Sequence, residues 1–264
     1  MIHLVGLPYE GPEDFLRGTA MAPSRLRWAM ESIEDYSVYQ RRSVPRFQDH
    51  GDLYPVGETP EERLQSLQER LKPLLQPGER WVFLGGDHSI TYATVAALLP
   101  LYPGLQVVHL DAHLDRREAF FGNRWSHASV IRRLEDLLGD PTRIHTLGYR
   151  SRAPEEPERG TPFRVLEPLR ALAERLAPPV YLTLDFDVLD PSEFPAVGNP
   201  EPGGVSFQEL LEALQLLRGK LVAADLVEYN PLASSALFPA VTGALLLREV
   251  LILLDPAHDA PVPG

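Results

Sequence analysis

Six short apolar runs recur along the chain, separated by longer stretches whose apolar positions follow helical spacing. Ile2–Gly6, Trp81–Gly85, Gln106–Leu110, Ile144–Gly148, Val180–Leu184 and Leu221–Val227 are rich in Val, Leu and Ile, and several show no polar alternation. Strands covered on both faces, as in a parallel sheet, read this way. Helices are predicted over about Pro60–Leu75, Ser89–Leu99, Ser126–Leu138, Pro168–Leu176, Ser206–Leu217 and Ser235–Leu254. Ser206 precedes an amphipathic run and is a predicted N-cap. The strand–helix alternation predicts an α/β fold, a three-layer α/β/α arrangement around a mostly parallel sheet. No repeat or low-complexity tract interrupts it. The Pro/Glu-rich stretch Ala153–Pro162 falls inside the alternation and reads as a loop, so residues 1–264 read as a single domain.

Candidate chemistry follows the strands. Gly86-Asp87-His88 comes after Trp81–Gly85, and Asp111-Ala112-His113-Leu114-Asp115 after Gln106–Leu110. Asp185-Phe186-Asp187 and then Asp190-Pro191 come after Val180–Leu184, and Glu228 after Leu221–Val227. The carboxyl ends of parallel strands share one edge, where α/β folds bind ligands. Histidines and carboxylates from four strands therefore converge on one crevice, where the acids repel unless cations sit among them. Asp111, His113 and Asp115 are spaced by two and point one way if extended. Asp185 and Asp187 would do the same, with Phe186 turned to apolar packing. A lone D-x-H-x-D is often a loop or a cap. Three such clusters, each at a strand's carboxyl end, point to a binuclear metal centre. Oxygen-rich ligands with some imidazole and no sulfur suit Mn²⁺ better than Zn²⁺, Co²⁺ or Fe²⁺. Two metals ~3.5–4 Å apart can turn a shared water into a nucleophile at neutral pH. Asp87 and Asp190 read as structural acids of turns or helix starts. His109 reads as a core histidine, with support beneath the site as the lesser alternative. His3, His50, His145 and His258 carry no functional reading.

Composition narrows the partners. The formal net charge is −12 and there is no Cys. The charge argues against a nucleic-acid partner, and the missing Cys excludes disulfides and thiolate chemistry. A negative field suits a cationic ligand. No basic n-region opens the chain, and the longest apolar stretch, Ala244–Leu254, contains Arg248 and Glu249. It is shorter than the ~20 residues of a membrane span. The expectation is a cytoplasmic protein with no membrane partner.

The motifs GGDHS at Gly85–Ser89, DAHLD at Asp111–Asp115, LDFDVLDPSEFPAVGNPEPGG at Leu184–Gly204 and VEYNP at Val227–Pro231 together resemble the ureohydrolase family of arginases, agmatinases and formiminoglutamases. The resemblance implies two Mn²⁺ per chain. His88, Asp111, Asp115 and Asp185 would hold one, and Asp111, His113, Asp185 and Asp187 the other. It also implies that His127 shuttles a proton, that Glu228 faces the substrate guanidinium and that Asp115 acts in catalysis. Arg116–Arg133 looks like the agmatinase type, implying agmatine hydrolysed to putrescine and urea. Alternatives are aminopropylagmatine giving spermidine, or a formimino or guanidino acid whose carboxylate meets Arg117. A salt bridge from Arg117 to Glu118 or another surface acid is the expected structural role. The acidic residues Glu155, Glu156 and Glu158 read as a solvated turn. A homo-oligomer, trimer or hexamer, is implied by the family. The rival from another class is a metal-binding scaffold without turnover, which would tolerate loss of the intact ligand set and of His127.

Overall fold

The computed structural model describes residues 1–255, so His258 lies outside the described residues. Strands β1 (Ile2–Leu7), β4 (Phe47–Asp52), β5 (Arg80–Gly85), β6 (Gln106–Leu110), β7 (Ile144–Tyr149), β8 (Thr161–Pro162), β9 (Val180–Asp185) and β10 (Leu221–Val227) form one sheet, and β2 (Tyr36–Ser37) and β3 (Arg42–Ser43) a small ribbon. The sheet order is β4-β1-β5-β10-β9-β6-β7-β8, with every pairing parallel. Helices α1 (Ala22–Met30), α2 (Pro60–Leu71), α3 (Ile90–Leu98), α4 (Val130–Leu138), α5 (Leu166–Ala173), α6 (Phe207–Gln215) and α7 (Phe238–Leu253) cover it.

Strand alternation sends successive side chains to opposite faces. Leu182 and Leu184 join the core beneath Leu26, Leu169, Leu210 and Leu247 of α1, α5, α6 and α7. Tyr181 and Val107 join the other core, with Leu64, Ile90 and Leu134 of α2, α3 and α4. This is the predicted three-layer α/β/α architecture. The Ser206 hydroxyl caps α6 by accepting from the Glu209 N–H at 3.1 Å. No helix among the described residues is long and apolar enough to cross a membrane.

Besides the two-residue strands β2, β3 and β8, the edge strand β4 and helix α1 escaped the hydrophobic pattern. The edge strand β4 reads Phe-Gln-Asp-His-Gly-Asp and is largely open to solvent, so it carries no apolar run. Only Ala22, Pro23, Leu26 and Ala29 of α1 are buried, a stripe too thin to stand out. Arg27 on α1 pairs with Asp49 at 2.7 Å and Asp52 at 2.5 Å, tying the helix to that edge. Helix α7 starts at Phe238 rather than Ser235, with Pro239 in its first turn.

Beyond β9 the chain makes one 3-10 turn, Phe186–Val188, and a long loop that returns at Val205. Asp190 clips the two ends of that loop together. One carboxylate oxygen accepts from the Ser192 N–H at 3.0 Å, the other from Gly203 at 2.8 Å and Gly204 at 3.2 Å. The Ser192 side chain and these backbone donors hold its pKa down to about 2. A carboxyl whose folded pKa is depressed stabilises above its unfolded value and loses that contribution as pH falls through the folded one. Asp190→Asn is therefore expected to be less stable than wild type at neutral pH. The gap should close between about pH 4, the ordinary Asp value, and about pH 2, as measured by urea denaturation across that range.

Candidate metal centre and active site

Each candidate ligand is delivered by a strand end. At the end of β5 the chain turns through Gly86, whose amide donates to Leu7 O at 3.2 Å. A Cβ there would sit 1.7 Å from the Tyr9 carbonyl oxygen, so only glycine lets the two loops touch. The turn places the His88 N–H on Glu228 Oε1 at 2.6 Å, joining two walls of the site. His88 Nδ1 then faces three carboxylate oxygens: Asp111 at 3.0 Å, Asp115 at 3.2 Å and Asp185 at 3.2 Å. Its Nε2 is held by Thr183 Oγ1 at 2.9 Å, and Thr183 leads through Thr91 to the buried Asp225.

A second imidazole closes the other half. His113 Nδ1 lies 2.8 Å from Asp187 Oδ2 and 3.4 Å from Asp111 Oδ1. Asp111 thus stands between the two histidines, as a bridging carboxylate would. Asp187 is fixed by the Ala112 N–H at 2.9 Å. The structure corrects the reading of Asp185 and Asp187 as an extended pair. Asp185 ends β9 and its carboxylate accepts the Asp187 N–H at 2.8 Å, winding residues 186–188 into the 3-10 turn. Asp187 reaches the site by that turn, while Phe186 stacks on Phe194 with ring centroids 4.5 Å apart.

His109 is buried, and its Nε2 contacts Asp111 Oδ2 at 2.7 Å while Nδ1 meets Thr146 Oγ1 at 3.0 Å. The imidazole expected to be a core residue therefore also supports Asp111 from below. Asp87 accepts from Gly11 N–H at 2.6 Å and Ser89 N–H at 2.9 Å, an acid holding the start of α3. His3 and His50 stack on Trp81, and His145 meets Gln106.

The electrostatics are those of crowded buried acids. Burial, then the charges of Asp187 and Asp111, push the Asp185 carboxyl well above the carboxylate range. Burial and Asp111 raise Asp187 too. Burial also disfavours charge on His88 and His113, but the surrounding carboxylates overcome it and hold both imidazoles well above their ordinary value. His88 Nδ1 is buried and has no hydrogen bond of its own among the described residues. An imidazole nitrogen aimed at three carboxylates without a donor–acceptor geometry is a ligand set for a divalent cation. The residues fit two such ions: His88, Asp111 and Asp115, with His109 beside them, group around one position, and Asp111, His113 and Asp187 around another.

These groups open on a cavity of about 250 Å³ whose walls include His113, Asp115, Asp185, Asp187, His127, Glu228, Arg117 and Phe120. Asp115 and Glu228 both adopt left-handed backbone, with φ of 52° and 67°. Non-glycine residues there are strained, and such strain concentrates at functional sites. The Asp115 carbonyl accepts from Ile131 and Arg132 at the start of α4, which holds the conformation. Burial, then the charges of Asp14 and Asp87, raise Glu228 well above the carboxylate range, as expected of an acid awaiting a cation. His127 opens a 3-10 turn capped by the Ser126 hydroxyl, and its Nδ1 lies 3.0 Å from Asp14 Oδ1.

Two expectations about the far wall are corrected. Glu118 pairs with Arg124, Arg132 and Arg133, not with Arg117. Among the described residues Arg117 has no carboxylate within ion-pair distance; its guanidinium lies 5.0 Å over the Phe120 ring. Arg116 is buried and turned away, paired with Glu135 at 3.0 Å. Glu156 is no solvated turn residue: it is buried, lines the cavity and accepts from Arg116 N–H at 2.7 Å and Ala153 N–H at 2.6 Å.

Buried acids that need divalent cations, facing an imidazole and an orienting carboxylate across a small cavity, are the parts of a metal-dependent hydrolase. The chain matches the arginase family over residues 1–253 and belongs to it. It is a metal-dependent ureohydrolase acting on guanidino C–N bonds. An agmatinase of Bacillus subtilis (strain 168) is 34% identical, the alignment covering 94% of this chain and 90% of that one. A mitochondrial arginase 1 of Oryza sativa subsp. indica is 35% identical over 94% of this chain and 79% of its own length. The crystal structure of the agmatine ureohydrolase of Thermoplasma volcanium superposes with a TM-score of 0.86 at 28% identity, covering 96% of this chain and 89% of that one.

The touching loops give a direct test. Gly86→Ala must push the Tyr9 backbone aside and is expected to lower the thermal midpoint and the metal content. Gly104→Ala, where an added Cβ meets nothing within 4 Å, should change neither. Differential scanning calorimetry with elemental analysis of both variants compares them.

Proposed function

We propose that this chain hydrolyses agmatine to putrescine and urea with two Mn²⁺ ions. The observation that carries the reading is the buried acid set Asp111, Asp115 and Asp185 closed around His88 Nδ1, which has no hydrogen bond of its own among the described residues, with Asp187 beside it on His113. His88, Asp111, Asp115 and Asp185 would hold one ion, and Asp111, His113, Asp185 and Asp187 the other. Bound there, the ions would supply hydroxide as nucleophile at neutral pH.

The chain's own groups do the rest. Glu228 is fixed through Oε1 by the His88 N–H. Its free edge matches the planar fork of a guanidinium, which orients the carbon for attack and restores charge to the acid. Asp115 accepts from the nitrogens as that carbon becomes tetrahedral. His127 delivers a proton to the departing amine, which would otherwise leave as a strongly basic anion. Agmatine is favoured by the agmatinase relatives and by the net charge of −12, which draws in a dication. The proposed form is a cytoplasmic homo-oligomer, trimeric or hexameric.

Arg117 favours a second reading. A guanidinium on the cavity wall with no carboxylate partner among the described residues is suited to a substrate carboxylate. A guanidino or formimino acid would use it; agmatine would have to keep its amine away from it.

A substrate panel decides between them. Release of urea or formamide from agmatine, aminopropylagmatine, arginine, guanidinobutyrate and formiminoglutamate is measured after metal removal and after Mn²⁺ return. Agmatine is expected to give the highest kcat/KM, and only with metal. A carboxylate-tailed substrate that wins, and is lost selectively in Arg117→Ala, would transfer the enzyme to the second reading. Asp111→Asn is expected to hold clearly less than the wild-type metal, because a neutral amide cannot bridge two cations. Wild-type stoichiometry in that variant by elemental analysis would remove Asp111 from the ligand set.

A further inference from the structure

Asp14 lies in the loop after β1, remote in sequence from every strand end that builds the site. That loop is pinned at three points. Glu10 accepts from the Gly18 N–H at 2.5 Å, Asp87 from the Gly11 N–H at 2.6 Å, and Glu13 from the Asn123 side chain at 3.1 Å. Between these clips the Asp14 side chain, only 6% exposed, is pressed against His127. Its Oδ1 is 3.0 Å from His127 Nδ1, and neither Asp14 oxygen has a hydrogen bond among the described residues. A buried carboxylate left so is costly unless a cation faces it. The Phe120 ring meets His127 edge-on, with centroids 5.7 Å apart, and fixes the imidazole from another side.

We propose that Asp14 is the positioning residue of His127: it holds Nδ1 and so presents Nε2 to the nitrogen that leaves the substrate. The inference rests on the proton-carrying role assigned to His127 above. His127 lines the cavity, so once Nδ1 faces Asp14 the ring has one nitrogen left to exchange a proton with a bound group. A carboxylate behind an imidazole fixes its tautomer and steadies the imidazolium, as in the acid–His pairs of hydrolases. The charged groups acting on His127 are Asp14 from the loop after β1, Asp87 after β5 and Asp115 after β6, with Glu228 and Arg117 on the same cavity. Burial opposes the charge on the imidazole, but the contact with Asp14 and the charges of Asp87 and Asp14 raise its pKa to about 9. It is thus protonated at neutral pH, as a group that must give up a proton should be.

The experiment uses the Mn²⁺-loaded protein and the variants Asp14→Asn, Asp14→Glu and His127→Ala. His127→Ala should lower kcat by ~10²–10⁴-fold. Asp14→Asn should lower kcat by about 10–100-fold, as loss of an outer partner does elsewhere, with KM and metal content little changed. Activity that needs protonated His127 falls as pH rises through its pKa, so the basic limb of the kcat–pH profile should move to lower pH in Asp14→Asn. Asp14→Glu should restore part of both. A readout independent of turnover is carbethoxylation of His127 by diethyl pyrocarbonate against pH, followed by peptide mass mapping, since only the neutral ring reacts. Its midpoint should fall by roughly 1–3 units in Asp14→Asn. An unchanged midpoint, or wild-type kcat in Asp14→Asn, would overturn the assignment. If Asp14→Asn fails to fold, Asp14→Ser is read by the same two measurements. A shifted midpoint with normal kcat in His127→Ala would instead strike the role of His127 while upholding the Asp14–His127 pair.

Discussion

Like charges buried together govern this molecule. Asp111, Asp115, Asp185 and Asp187 are almost wholly removed from water and lie around two imidazoles. Four ionised acids at such separations repel strongly where the dielectric is low. Protons can relieve part of this, which is the sense of the raised Asp185 and Asp187. Two divalent cations held there would offset the repulsion and supply the chemistry of a hydrolase. The rest of the fold keeps those acids from moving apart.

A parallel sheet is suited to that task. Its hydrogen-bonded ladder fixes the ends of β5, β6, β9 and β10 on one edge, and cores on both faces keep the strands from sliding. Backbone donors then clamp the carboxylates: the Ala112 N–H on Asp187, the Asp187 N–H on Asp185, the His113 N–H on Asp111. The left-handed backbone at Asp115 and Glu228 turns two acids toward the cavity that regular continuation would point elsewhere. Strain at these positions is tolerated because the Asp115 carbonyl is tied to α4 and the Glu228 amide donates to Gly86 O.

The cavity is chemically divided. Its lining includes a group of acids, Asp115, Asp185, Asp187 and Glu228. Its walls also carry Arg117 and Arg152, and of these, among the described residues, only Arg152 has an acid within ion-pair distance, Glu158 at 3.4 Å. A guanidinium head would suit those acids for electrostatic reasons. On the proposed function the tail would meet a mixture of charges, so that its recognition would turn on Arg117.

The sequence alone specified what is local. Burial periodicity determined six strands of the sheet, because a strand covered on both faces must be apolar throughout. Strand polarity then placed His88, Asp111, His113, Asp115, Asp185, Asp187 and Glu228 on one edge. Elements that bury little were invisible, as with the polar edge strand β4 and the thin stripe of α1. Tertiary structure decided what depends on distant parts of the chain meeting. It turned Asp187 inward by a 3-10 turn instead of strand alternation, set His109 beneath Asp111, and freed Arg117 by giving Glu118 three other arginines. It also brought Asp14 to His127. Nothing in the spacing of Asp14 announces that contact, because pattern records which side of an element is buried, whereas which charges share a cavity depends on where loops from separate strands close.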